Sequence, residues 1–221
     1  ITSAMLIPRI LSALVLLPVA MAGIWYGGWV FFALVAVATA LMAWEWRRMV
    51  RSDEAPLLYA FGLPYIALPA ASLVWLRANP TSGFETILWL LCIVWATDIG
   101  AYAFGRIIGG PKLAPRFSPK KTWAGLIGGM VSAAAVGAGI AAGWGLSVVG
   151  FALLSAVLAV VSQAGDLFES WVKRRFNVKD SSNIIPGHGG VLDRVDGVLP
   201  VAVVVAVLAM VFGGGILTWR L

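Results

Sequence analysis

Seven blocks of apolar residues, at roughly 10–23, 28–44, 57–76, 85–108, 121–142, 146–168 and 197–217, occupy most of this chain. Each approaches the roughly 17–25 residues that a helix needs to cross a bilayer. Backbone in lipid has no water to bond, so such blocks fold as helices that pair their own N–H and C=O groups. With 61% hydrophobic and 12% charged residues, a water-soluble fold of 221 residues would leave apolar surface over most of its exterior. The expected class is all-α: a single integral membrane domain over residues 1–221, a polytopic bundle of about seven transmembrane helices, with six to eight admissible. Residues 10–84 supply N-terminal spans, and residues 85–221 the spans and loops that carry the chemistry. Gly27-Gly28 marks the turn between the first two blocks, which are short enough for a shallow hairpin. The chain starts Ile-Thr-Ser without methionine and so reads as trimmed. Its first block lacks a small-residue cleavage site and is taken as a retained span rather than a signal peptide.

Charge orients the bundle. With the N-terminus in the cytoplasm and seven alternating spans, the inside segments hold fourteen of the 16 basic residues. These are Arg9; Arg47, Arg48 and Arg51; Arg106, Lys112, Arg116, Lys120 and Lys121; and Lys173, Arg174, Arg175, Lys179 and Arg194. Arg77 and Arg220 are left outside, beside short uncharged connectors at Gly27-Gly28 and Gly143-Trp144-Gly145. This is the Lys/Arg asymmetry of the positive-inside rule. The net charge of +6 is then a cytoplasmic-face field suited to anionic headgroups and nucleotides. It does not suit nucleic acid, because a basic face pressed on lipid presents no groove-reading element. Cys92 is the only cysteine, which excludes a disulfide or a metal–thiolate cluster. Gly125, Gly128, Gly129 and the small residues from Ala133 to Gly143 read as close helix packing in lipid.

Polar residues inside such a chain are costly and therefore informative. Asp98, in Trp95-Ala-Thr-Asp-Ile-Gly-Ala-Tyr102, lies within an apolar block, where a carboxylate costs roughly 2.5–3.5 kcal/mol at mid-bilayer. It either bonds a neighbouring helix or lines a polar cavity. Asp166, Glu169, Ser170 and Lys173 share one helical face, which Gln163 extends into the membrane, with Leu167, Phe168, Trp171 and Val172 on the other side. Asp193 and Asp196 open the last span; capping of its positive helix end would explain them, as would a cation bracketed between them and Asp166.

Between these acidic points runs Pro186-Gly187-His188-Gly189-Gly190, a turn whose N–H groups are able to face a phosphate. His188 reads as a phosphate contact or a general base, and no second histidine exists for a zinc site. A second basic connector holds Lys112, Arg116, Ser118, Lys120, Lys121 and Thr122. Ser118 before Pro119 is expected to start a helix, which would put Lys120, Lys121 and Thr122 at an anion-attracting N-terminus; simple anchoring to lipid is the plainer alternative.

The run Ser170-x-x-Lys173-Arg174-x4-Lys179-Asp180-x-Ser182-x-x-Ile185-Pro186-x-His188-Gly189-Gly190-x-x-Asp193-Arg194-x-Asp196 resembles the signature of the CDP-diacylglycerol synthases (phosphatidate cytidylyltransferases). Asp98-x-x-Ala101-Tyr102-x-x-Gly105 and Ser118-Pro-Lys-Lys121-Thr122-Trp are similar to the same family. One position departs: Ala124 stands where members often carry a glutamate, so no role of that glutamate is carried over. The resemblance implies that CTP and phosphatidic acid give CDP-diacylglycerol and pyrophosphate with Mg²⁺, at least some members also using a monovalent cation such as K⁺. It implies that Asp166 and Asp193 are the metal ligands, and it places Lys173 and Asp196 with them as catalytic groups. Ser118, Lys120, Lys121, Thr122, Arg174, Lys179, His188, Gly189, Gly190 and Arg194 would bind substrate phosphates, with Asp98 and Glu169 lining the cavity. The protein would sit in a bacterial inner membrane with these loops in the cytoplasm; the oligomeric state stays open, a homodimer included. Two rival readings are a CTP-dependent enzyme on another lipid (an ether-lipid cytidylyltransferase or a polyprenol kinase) and an anionic-lipid transporter. The transporter would want polar groups spread along broken spans, whereas here they collect on one face.

Overall fold

The computed structural model describes residues 3–219 and 221, with side chains from Leu11 onward except Ala13. Of the basic residues used above, Arg220 and the side chain of Arg9 lie outside the described residues. Helices follow the apolar blocks in order: α1 (Ser3–Tyr26), α2 (Gly28–Met49), α3 (Pro56–Arg77), α4 (Gly83–Ile107), α5 (Trp123–Trp144), α6 (Val148–Arg175), the short α7 (Leu192–Val195) and α8 (Val198–Phe212). Among the described residues six helices are long and apolar enough to cross a membrane, the last read through to Thr218, and α1 adds the apolar stretch Leu14–Tyr26. This is an all-α polytopic membrane bundle.

Glycine lets the central helices touch. A Cβ on Gly128 would stand 2.3 Å from the Phe104 side chain, and one on Gly100 2.2 Å from Ser132 Oγ, so α4 and α5 pack closer than bulkier residues allow. Gly165 likewise faces the Asp196 carbonyl and Pro200, and Gly197 faces Ser162, which seats the start of α8 against α6. On α3, Gly62 admits the Trp46 indole of α2, whose N–H donates to the Tyr59 carbonyl at 3.3 Å. Trp89, Phe151, Ile93 and Val201 are buried in the main apolar core. A smaller cluster of Met42, Trp46, Ile66, Val172, Leu192 and Leu199 lies toward the opposite, polar end.

The connectors sort onto two ends. At one, Arg77 donates to the Ile24 and Trp25 carbonyls at 2.8 and 3.1 Å and so closes the α1–α2 turn. Gly145, in the left-handed region, ends α5 at the same end. At the other end lie the connectors after α2, α4 and α6, with nearly all the cationic side chains. The basic connector after α4 corrects the sequence reading. Ser118 does not start a helix and Pro119 is not its first residue: Lys112–Ala114 (β1) and Ser118–Thr122 (β2) form an antiparallel hairpin. Thr122 is the cap of α5, its hydroxyl accepting from Gly125 N–H at 3.0 Å. Lys120 and Lys121 therefore belong to a strand and do not sit at a helix N-terminus. Asp193 does not open the last span, because it lies in the separate short α7; Asp196 does stand at its start, directly before Gly197, the cap residue of α8.

Candidate active site

The polar face of α6 organises the candidate site. From the membrane outward it presents Gln163, Asp166, Glu169, Ser170 and Lys173, one helical turn apart or less. Lys121, at the end of the hairpin, reaches this face, with its Nζ 2.6 Å from Asp166 Oδ2 and 2.8 Å from Gln163 Oε1. Gln163 in turn donates to Asp98 Oδ1 across a long 3.4 Å. Asp98 thus continues the network from α4, with one flank of its side chain exposed. Ser170 donates to Asp166 Oδ1 at 3.3 Å.

Lys173 links this face to the long loop. Its Nζ stands 2.5 Å from Asp193 Oδ1 and 3.4 Å from Glu169 Oε2. The other Asp193 oxygen accepts from Ser181 N–H, Ser181 Oγ–H and Gly190 N–H, each at 2.8 Å. Burial pushes the Asp193 carboxyl up, but the bonds from Lys173 and from the Gly190 and Ser181 amides outweigh it. The net effect holds the group below the usual carboxylate range. Burial and the nearby Asp166 push the Asp196 carboxyl up to about 6.

Sequence reasoning missed Glu45. It lies near the end of α2, is fully buried, and grips the loop from the opposite side to Lys173. Its Oε1 accepts from Ser182 Oγ–H at 2.6 Å and Val191 N–H at 2.8 Å, and its Oε2 from Leu192 N–H at 2.8 Å. A Cβ on Gly190 would fall 2.4 Å from Glu45 Oε1, so glycine there keeps the carboxylate seated. In sequence Glu45 reads as one more charge beside Arg47 and Arg48 at a membrane edge. A lone carboxylate between two tryptophans, Trp44 and Trp46, at the end of an apolar block was its one available signal.

Other expected residues stay apart from this network. Lys120, Arg174, Lys179 and Arg194 are exposed, with Arg174 donating to the Val178 carbonyl at 2.9 Å. Ser118 lies in the hairpin, half-buried. His188 faces α1, its Nδ1 2.6 Å from Ser12 Oγ, within a turn closed by the Ile185–Gly189 bridge. Gly189 adopts φ +85, and a Cβ there would stand 2.8 Å from Asp193 Oδ2.

Does this arrangement fit a cation? Among the described residues no three or more His, Cys, Asp or Glu side chains gather closely enough to hold a metal by themselves. Mg²⁺ does not require that, since it commonly takes one or two carboxylates and completes its octahedron with waters and substrate phosphate. The carboxyl groups of Asp98, Asp166, Glu169, Asp193 and Asp196 gather around two paired cations, Lys121 and Lys173, with the exposed Arg194 farther out. The fully buried Glu169 has the Lys173 ammonium, at 3.4 Å, as its ion-pair partner. Asp166, 30% exposed, has room for an ion, whereas Asp193, at 4%, would have to release Lys173 to bind one.

A family model described as the cytidylyltransferase family matches residues 7–68 and 54–212. A protein of Brucella suis biovar 1 named phosphatidate cytidylyltransferase is 51% identical over 159 residues, covering 69% of this chain and 57% of that protein. The chain thus spans little more than half the length of the Brucella relatives. A Rickettsia bellii protein of the same name is 41% identical over 199 residues, covering 86% of this chain and 85% of its own. One from Rickettsia felis is 38% identical over 200 residues, with 86% of each covered.

Proposed function

This chain belongs to the cytidylyltransferase family, and from that premise we propose that it is a membrane-embedded phosphatidate cytidylyltransferase. In this reading a phosphate oxygen of phosphatidic acid attacks the α-phosphorus of CTP. The new P–O bond gives CDP-diacylglycerol, and the bond to the β-phosphate breaks to release pyrophosphate. The observation that carries the reading is the linked Lys121–Asp166 and Lys173–Asp193 pairs at the edge of an otherwise apolar bundle. Charge gathered at that depth suits a reaction joining a lipid phosphate to a water-borne nucleotide.

The lipid phosphate is already anionic at neutral pH, so the site needs no strong general base. Its work is to offset charge, align two anions and stabilise the departing pyrophosphate. Lys121 and Lys173 are held by carboxylates at the two sides of the α6 face, and each can turn its remaining N–H donors to phosphate. The exposed Lys120, Arg174, Lys179 and Arg194 form the outer field that draws both anions in. Mg²⁺, with a monovalent cation such as K⁺ beside it, would be held by Asp166 and Asp193 and would neutralise phosphate charge when bound. Glu169, buried, and Asp196 lie beside this pair on the same acidic face.

The test is conversion by the purified protein. With CTP and phosphatidic acid, CDP-diacylglycerol and pyrophosphate are expected in equal amounts, and chelation of divalent ions is expected to stop both. Turnover of a polyprenol or an ether lipid in preference to phosphatidic acid would move the assignment to another acceptor. No product from any lipid would remove it.

Sidedness belongs to the same proposal: the basic end faces the cytoplasm of a bacterial inner membrane, supported by the Lys/Arg asymmetry and by the bacterial relatives. Single cysteines at Trp144 and Lys179, on a Cys92→Ala background, should be labelled from opposite sides, position 179 from the cytoplasm. Labelling of both from one side would overturn it.

A further inference from the structure

We propose that Tyr65, on α3, is a substrate contact of this site, its phenol O–H donating to a phosphate oxygen of a bound substrate. The inference rests on the functional reading above and adds a residue from the N-terminal spans. Three aromatic rings fix the Tyr65 ring: Phe168 at 5.1 Å between centroids, Trp46 at 5.4 Å and Phe61 at 5.9 Å. Phe168 lies on α6 between Asp166 and Glu169, so the phenol is held against the helix that carries the acidic face. Its hydroxyl is buried and has no hydrogen-bond partner among the described residues. The charges that bear on it are Glu169, Asp196 and Asp166.

A buried hydroxyl is normally paired, because water is lost and nothing replaces it. Here the donor cannot swing to solvent, since the ring is packed on both flanks. Glu169, which bears on the phenol, is itself paired with Lys173 at 3.4 Å. The Tyr65 hydroxyl is therefore a donor at the acidic face that the described residues leave unused. A neutral O–H donor is what an anionic phosphate needs beside so many carboxylates. Lipid and nucleotide phosphates share that chemistry.

The experiment is Tyr65→Phe, which removes the oxygen and keeps the ring. Steady-state rates are measured with CTP varied at saturating phosphatidic acid and the reverse, together with thermal unfolding in detergent. The expected result is a fall of about ten- to a hundredfold in kcat/KM, the loss of one hydrogen bond to a charged group. The melting temperature should stay equal or rise, since the variant no longer buries an unpaired hydroxyl. A rise in KM confined to one substrate names the phosphate held, and a fall in kcat alone places the contact in the transition state. Wild-type kinetics for both substrates would overturn the proposal. So would a rate loss matched by a lower melting temperature, because that is the signature of packing. If the wild-type protein turns over no lipid, the functional reading fails on its own. Equal stabilisation of wild type and Tyr65→Phe by CTP and by phosphatidic acid would then overturn the contact separately.

Discussion

Asp193→Asn is expected to abolish turnover and to loosen residues 176–191 at the same time, while Asp166→Asn abolishes turnover and leaves the loop ordered. The difference lies in what each carboxylate holds. Asp193 is nearly buried and takes Lys173 on one oxygen and three donors from Ser181 and Gly190 on the other. An amide offers one acceptor oxygen and turns two N–H donors toward groups that are donors themselves. Lys173, 11% exposed, is then left with Glu169 at 3.4 Å as its nearest anion. Breaking a buried pair from one side costs about 3–5 kcal/mol. Asp166 is more open and pairs with a Lys121 that is itself 19% exposed, so its loss is worth about 0–1 kcal/mol of stability. Turnover should still fall at least about a hundredfold in both variants, because each loses a proposed metal ligand. Limited proteolysis of residues 176–191, run beside the conversion assay, separates the two. Near-normal turnover in both variants would remove the metal assignment. A protected loop in Asp193→Asn would remove the anchoring role.

Glu45→Ala is expected to be as damaging as Asp193→Asn, although Glu45 lies 146 positions before Val191, whose amide it accepts. The alanine leaves the Val191 and Leu192 amides and the Ser182 hydroxyl without their acceptor, all at or near a buried position. An orphaned buried donor costs about 1–3 kcal/mol, so the loop should detach locally before the bundle unfolds. Hydrogen exchange at residues 181–192 should accelerate, and turnover should fall by about two decades or more as Asp193 loses its fixed position. Glu45→Gln retains one acceptor oxygen and the same length, and should fall between the two. Wild-type turnover with a protected loop in Glu45→Ala would show that α2 plays no part in positioning the site.

The ladder of spans was legible without coordinates because bilayer thickness and the need to pair backbone groups fix helix length locally. The blocks at 28–44 and 57–76 became α2 and α3 to within a few residues. The α6 face was legible for a similar reason, since a 3.6-residue period alone lines up Gln163, Asp166, Glu169 and Lys173. Tertiary structure decided everything that depends on partners distant in the chain. Ser118–Thr122 reads locally as Ser-Pro opening a helix, yet it pairs with Lys112–Ala114, because a hairpin strand is stabilised across the ladder rather than along it. Lys121 reads as a phosphate contact or a membrane-edge anchor, and its pairing with Asp166 came only from the packing of the hairpin against α6. Glu45 and Tyr65 carried no periodic or motif signal, being single polar groups near the end of α2 and midway along α3. Their meaning came only when close helix packing enclosed them, since burial is what turns a carboxylate or a phenol from a solvated group into one that must find a partner.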